Sequence, residues 1–178
     1  MKHPLLLVLF TALTTIPQLA TADDPTYIDK KTEKVSGGDY ASNGQITTPV
    51  SFCEYILRDD AAVEGQKSVM VQSDENAHVG GTFFVPKAHY PLVDGDHYVE
   101  NGATVSYSNE TLTSVFISKD DGLSKEVETL KIEVSPDMKT VGSASFSFKK
   151  KSLMGSTLIS AMTCDFAVSE IRTNDLKM

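Results

Sequence analysis

In "TLKIEVS" the apolar residues Leu130, Ile132 and Val134 alternate with Lys131 and Glu133, and in "SASFSFKK" Ala144, Phe146 and Phe148 alternate with serines. Successive side chains of a β-strand point to opposite faces, so this period of two places one face in a core and the other in water. A helix returns to the same face after three or four residues and cannot use such a pattern. The repeat therefore commits the chain to β-structure with one wet face.

Beyond Thr47 the chain is rich in Val, Ile, Thr, Phe and Tyr, in runs broken by Gly, Pro, Asn and Asp, the composition of strands and turns. The predicted strands are "TTPVSFCEYILR", "QKSVMVQS", "VGGTFFV", "DHYVE", "ATVSYS", "TLTSVFIS", "VETLKIEVS", "TVGSASFSFKK" and "STLISAMTCDFAV". Short turns such as Asn101-Gly102, Asp120 to Gly122 and Ser135 to Asp137 favour antiparallel neighbours, because a parallel crossover needs a dozen or more residues. The expected fold is all-β, an antiparallel sandwich or a closed meander barrel of about eight to nine strands. Ala, Leu and Met in the final segment are good helix formers, but Thr157, Ile159 and Thr163 favour a strand there.

Two cysteines constrain the ends of this domain. Cys53 is in register with Tyr55 and Leu57 on the first predicted strand; Cys164 is in register with Leu158, Met162, Phe166 and Val168 on the last. Two inward thiols in an exported chain are most economically joined, so a disulfide linking the first and last strands is expected. In the chain-entropy picture such a closure stabilises a fold by about 4 to 5 kcal/mol. No Cys-x-x-Cys pair exists to support redox chemistry.

Export is read from the N-terminus. Lys2, the apolar run Pro4 to Ile16 and the small residues Ala20 to Ala22 form a secretory signal over residues 1–22, cut before Asp23. The apolar run is shorter than the roughly 20 residues that span a bilayer, and Pro17 and Gln18 interrupt it. A secreted or periplasmic protein is expected, without a transmembrane helix. Residues 23–46 are polar, charged and glycine-containing, and read as a flexible arm. Residues 47–178 form the single β domain, ending in the polar tail "SEIRTNDLKM".

The formal net charge is -8, which argues against nucleic acid as a partner, since that affinity rests on Lys and Arg neutralising phosphates. The one local basic run is Lys149, Lys150 and Lys151, read as a solvated turn that discourages edge-to-edge aggregation. Asn109-Glu110-Thr111 is a glycosylation sequon, meaningful only in a eukaryotic secretory route.

Potential metal ligands gather in one stretch, His78, His89 and His97 with Asp94 and Asp96. Zinc needs three or four ligands converging on a tetrahedron, and these spacings match no local zinc pattern. Asp94-Gly95-Asp96 also reads as an ordinary turn. Nucleophilic hydrolysis lacks its signatures: there is no Gly-x-Ser-x-Gly elbow, His-Glu-x-x-His helix or Walker loop. No motif implies a cofactor. The expected function is a non-catalytic binding or interaction module for a protein partner or a small apolar ligand. Such a ligand would lie in a cavity lined by Phe146, Phe148, Met162 and Phe166. The alternatives are a small outer-membrane β-barrel and a metal-dependent enzyme built on His78, His89 and His97.

Overall fold

The computed structural model describes residues 27–73 and 79–167. The signal segment 1–22, the tail from Val168 onward and His78 lie outside the described residues. In chain order the strands are β1 (Tyr27–Thr32), β2 (Val35–Tyr40), β3 (Ile46–Pro49), β4 (Cys53–Asp59), β5 (Lys67–Ser73) and β6 (Gly80–Val85). After a 3-10 turn at Lys87–His89 come β7 (His97–Glu100), β8 (Ala103–Ser108), β9 (Thr111–Asp120), β10 (Ser124–Val134), β11 (Val141–Ser152) and β12 (Gly155–Asp165).

These strands build two antiparallel sheets, one of four strands in the order β1-β4-β5-β6 and one of eight in the order β3-β2-β12-β11-β10-β9-β8-β7. Neither sheet closes on itself, so the architecture is sandwich-like and the expected meander barrel is corrected. An outer-membrane barrel requires closure that abolishes the edges, whereas β1, β6, β3 and β7 remain edges here. The nine predicted strands correspond to β4 through β12, and the count rises because β1, β2 and β3 precede them.

The extra strands correct the flexible arm of residues 23–46. β1 pairs with β4 in the small sheet, while β2 pairs with β12 and β3 in the large one. Gly37 and Gly38, which read as breakers, sit at φ 114° and 146° inside β2. A Cβ on Gly37 would run into the Ala161 carbonyl, and one on Gly38 into the Thr48 carbonyl. Glycine is therefore what lets β2 lie between β12 and β3.

The disulfide forms between Cys53 and Cys164, with Cα atoms 6.2 Å apart and a sequence separation of 111. It joins β4 to β12 and so staples the two sheets together; β4 is not the first strand, which corrects that part of the expectation. Around it, Thr32 Oγ1 donates to the Asp165 carbonyl at 2.7 Å, and the Asp165 N–H donates to the Lys34 carbonyl.

Strand register lays the inner face of the large sheet out in rows. The first row runs Tyr107, Leu112, Ile132, Ala144, Cys164 and Val35. The second runs Tyr98, Val105, Ser114, Leu130, Phe146 and Met162. The third runs Glu100, Ala103, Phe116, Glu128, Phe148 and Ser160. The small sheet's inward residues Cys53, Tyr55, Leu57, Val69, Val71 and Phe83 bury the first two rows. Burial is incomplete in the third, where Ala103 and Ser160 are buried but Phe116 is 37% exposed. At the closed end, the Tyr55 hydroxyl donates to the Met138 carbonyl at 2.7 Å and the Tyr107 hydroxyl to the Val134 carbonyl at 3.0 Å, so both buried phenols have partners.

Candidate functional site

The open edge of the small sheet creates the candidate site. Among the described residues β6 has β5 on one side and no strand on the other, so a cleft opens between it and the third row of the large sheet. The cleft encloses about 230 Å³. Its floor is apolar, built from Phe83 of β6, Leu130 of β10 and Phe146 of β11, with Phe84 and Phe116 beside them. Gly81 supplies the space: a Cβ there would stand 3.6 Å from Leu130 Cδ2 and 3.7 Å from Phe146 Cε2. Any larger side chain would occupy the void.

Two carboxylates stand at the mouth. Glu128 shares the inward phase of β10 with Leu130, and partial burial raises its pKa above the ordinary glutamate value. Glu100 ends β7 and accepts a hydrogen bond from Gln66 Nε2 at 3.3 Å. The Tyr98 hydroxyl donates to the Phe84 carbonyl at 3.4 Å, tying β7 to β6. His89 stacks on the Tyr98 ring with centroids 4.3 Å apart, and burial raises the Tyr98 phenol well above its usual range. These ties hold the wall opposite Leu130 in place.

Of the residues expected to line a cavity, Phe146 lies in the cleft and the other three do not. Met162 is buried in the second row, Phe148 is half-buried at the core's margin, and Phe166 packs edge-on against Tyr55 at 6.2 Å. A register shift opposite Phe148 and Lys149 also pairs Leu158 with Lys149, taking Leu158 out of phase with Met162 and Cys164. Gly81, Phe116, Glu100 and Glu128 escaped sequence reasoning. One signal is visible: Glu128 directly precedes Leu130, Ile132 and Val134 in the inward phase of β10.

The acidic and histidine residues of the expected metal set serve the loops. His89 Nδ1 lies 3.5 Å from Asp96 Oδ1, and the other Asp96 oxygen accepts from the Val93 N–H at 2.9 Å. Asp94 accepts from the Asn109 N–H at 2.8 Å, and His97 is exposed on the edge strand β7. Among the described residues, no three of His, Cys, Asp or Glu come together as a metal site. Among the same residues no helix is long and apolar enough to cross a membrane.

The outer face of the large sheet has a different character. A groove of about 340 Å³ there is lined by Thr129, Lys131, Ser145, Ser147, Lys149 and Thr163, among others. Val127, Phe146 and Met162 also line it, but its hydroxyls and ammonium groups make it more polar than the cleft. The chain matches no protein family, no curated protein and no solved structure with which it was compared.

Proposed function

We propose that this chain is an exported, non-catalytic binding module that holds a small apolar ligand in the cleft between β6 and the large sheet. The observation that carries the reading is the void above Gly81, floored by Leu130 and Phe146, since ligand sites are concave and largely apolar with a few placed polar groups. Glu100 and Glu128 at the mouth favour a ligand whose apolar body ends in an amine or another hydrogen-bond donor. Export is supported by the Cys53–Cys164 bond, because disulfides persist in oxidising compartments.

The two carboxylates do not stand as a glycosidase pair. Glu100 and Glu128 are three strand steps apart across β8 and β9, so their backbones are separated by about 14 Å at the usual inter-strand distance. Carboxylate pairs that flank a glycosidic bond stand closer than that, at about 5 to 9.5 Å.

Calorimetric titration with tryptamine, compared with indole-3-acetate, tests the reading. Tryptamine is expected to bind about tenfold or more tightly than its carboxylate counterpart, the contribution of one charge-assisted hydrogen bond. Gly81→Leu should abolish binding of both, and Glu128→Gln should narrow the difference. If neither compound binds, and native mass spectrometry of purified protein finds no small molecule that Gly81→Leu displaces, the cleft is not a ligand site.

A further inference from the structure

The large sheet continues past the third row into a stretch that, among the described residues, no second layer covers. Every residue from Phe116 to Leu123 and from Lys149 to Thr157 is exposed, so both faces of these strand ends meet solvent. From Glu128 to Ser124 the register runs four residues beyond the row, a projection of about 13 Å at the rise of a strand. β9 through β12 therefore end in a four-stranded tongue carrying two adjacent hairpin turns.

The tips of that tongue carry the chain's most exposed large apolar side chains among the described residues. Met154 is 99% exposed, Leu153 87% and Leu123 71%. Turn chemistry does not ask for them. Ser152 pairs with Gly155, leaving Leu153 and Met154 as the two central residues, positions where tight hairpins favour Asn, Asp or Gly. Neighbouring turns follow that rule, with Asn101-Gly102 between β7 and β8 and Asp121-Gly122 between β9 and β10.

A basic collar stands behind the tip. Lys149, Lys150 and Lys151 occupy the end of β11, alternating between the two faces, and the segment from Met138 to Cys164 contains no Asp or Glu. Among the described residues none of the three lysines is in an ion pair with a carboxylate. One acid of the neighbouring hairpin, Glu126, stands directly across from Lys150 in register, and the acids of its turn are engaged locally. Asp120 pairs with Lys125 Nζ at 2.7 Å, and Asp121 accepts from the Leu123 and Ser124 N–H groups at 3.0 and 2.6 Å.

From this geometry we infer that the tongue docks the protein on an anionic lipid bilayer. Leu153, Met154 and Leu123 enter the boundary between headgroups and acyl chains, and Lys149, Lys150 and Lys151 lie at the level of the headgroup phosphates. An apolar edge backed by lysines is the combination that binds such interfaces, burying about 5 to 10 Å of its depth. Charge complementarity selects the anionic surface: the chain as a whole is acidic, so attraction must come from this local excess of cations. The cleft lies outside the tip, and this inference does not depend on a ligand there.

Flotation of the full, disulfide-bonded chain with phosphatidylcholine vesicles, with and without phosphatidylserine, tests it. Wild-type protein should float with the anionic vesicles, less so as salt is added. At about fivefold per lysine near an anionic surface, loss of three charges alone weakens binding by about a hundredfold, so Lys149→Glu, Lys150→Glu and Lys151→Glu together, which reverse them, should weaken it by at least that much, whereas the three arginine replacements retain it. Leu153→Ser with Met154→Ser should weaken it by about tenfold or more. Every variant shares the same N-terminus, whether or not the signal segment has been removed, so differences among them report on the tongue. An unchanged circular dichroism spectrum establishes that the exposed substitutions leave the fold intact. Wild-type flotation by both sets of variants would overturn the inference, as would no flotation of wild type, or retention on a polyanionic resin without vesicle binding.

Discussion

The two ends of the sandwich use the same sheet and the same alternation, yet they arrive at opposite outcomes. At one end, Tyr107, Leu112, Ile132, Ala144 and Cys164 point inward and are buried in the core shared with the small sheet. At the other, Phe116 and Glu128 point inward with equal regularity, but the small sheet has run out. An inward phase is thus a necessary condition for core, and the second layer decides whether it is sufficient. The residues respond to that difference. Hydrophobics and tied tyrosines occupy the covered rows, whereas carboxylates, lysines and hydroxyls enter where the cover ends.

The contrast predicts where the fold's stability resides. The largest effect should come from removing the sulfur bridge with Cys53→Ala and Cys164→Ala. Freeing a loop of 111 residues should cost about 4 to 5 kcal/mol in the chain-entropy picture, a large part of a marginal total. Guanidinium unfolding monitored by circular dichroism measures it, and a loss below about 1 kcal/mol would mean that the closed end is held by packing alone. Next in size is a matched pair of truncations. Leu112→Ala should cost about 3 kcal/mol, because Leu112 is 1% exposed and its removal leaves a cavity. Phe116→Ala, four residues along the same face of β9, should cost about 1 kcal/mol or less, since much of that ring already meets water. Equal costs would erase the distinction between the two ends.

Much of this arrangement is legible in the sequence, and the illegible part has definite causes. Alternation locates β4 to β12 because each has at least one half-buried face, and it places Cys53 and Cys164 inward, where they meet. It misses β1 because the buried positions there are the polar Lys30 and Thr32, and β2 because Gly37 and Gly38 erase the pattern. What selects them is close approach of neighbouring backbones, a tertiary demand without a periodic signal. The cleft is hidden for a related reason. Phe146 and Met162 are indistinguishable by phase and composition, yet one borders a void and the other is sealed. The difference lies in Gly81, on a strand of the other sheet. The tongue carries a partial signal: Lys149, Lys150 and Lys151 form a solvated strand end, as the sequence suggests, and the exposed Leu153 and Met154 beyond it give that end a different character.

The smallest effect probes the transition between the two ends, at Glu128. Its carboxyl is partly desolvated above Leu130, which raises its folded pKa above the ordinary value near 4.5. The folded state therefore holds this proton more tightly than the unfolded state does. Stability contributed at this site is present below the ordinary pKa and declines as pH rises through the raised one. Ionised Glu128 is thus a mild liability at neutral pH, and Glu128→Gln should raise stability there by a few tenths of a kcal/mol, reduced by solvent screening. Below the ordinary glutamate pKa the two proteins should unfold alike, because both then carry a neutral side chain. Urea melts of both across that pH range measure the difference. A wild type more stable than the glutamine variant at neutral pH would mean that the carboxylate is well solvated or paired, and that the cleft mouth belongs to the open surface.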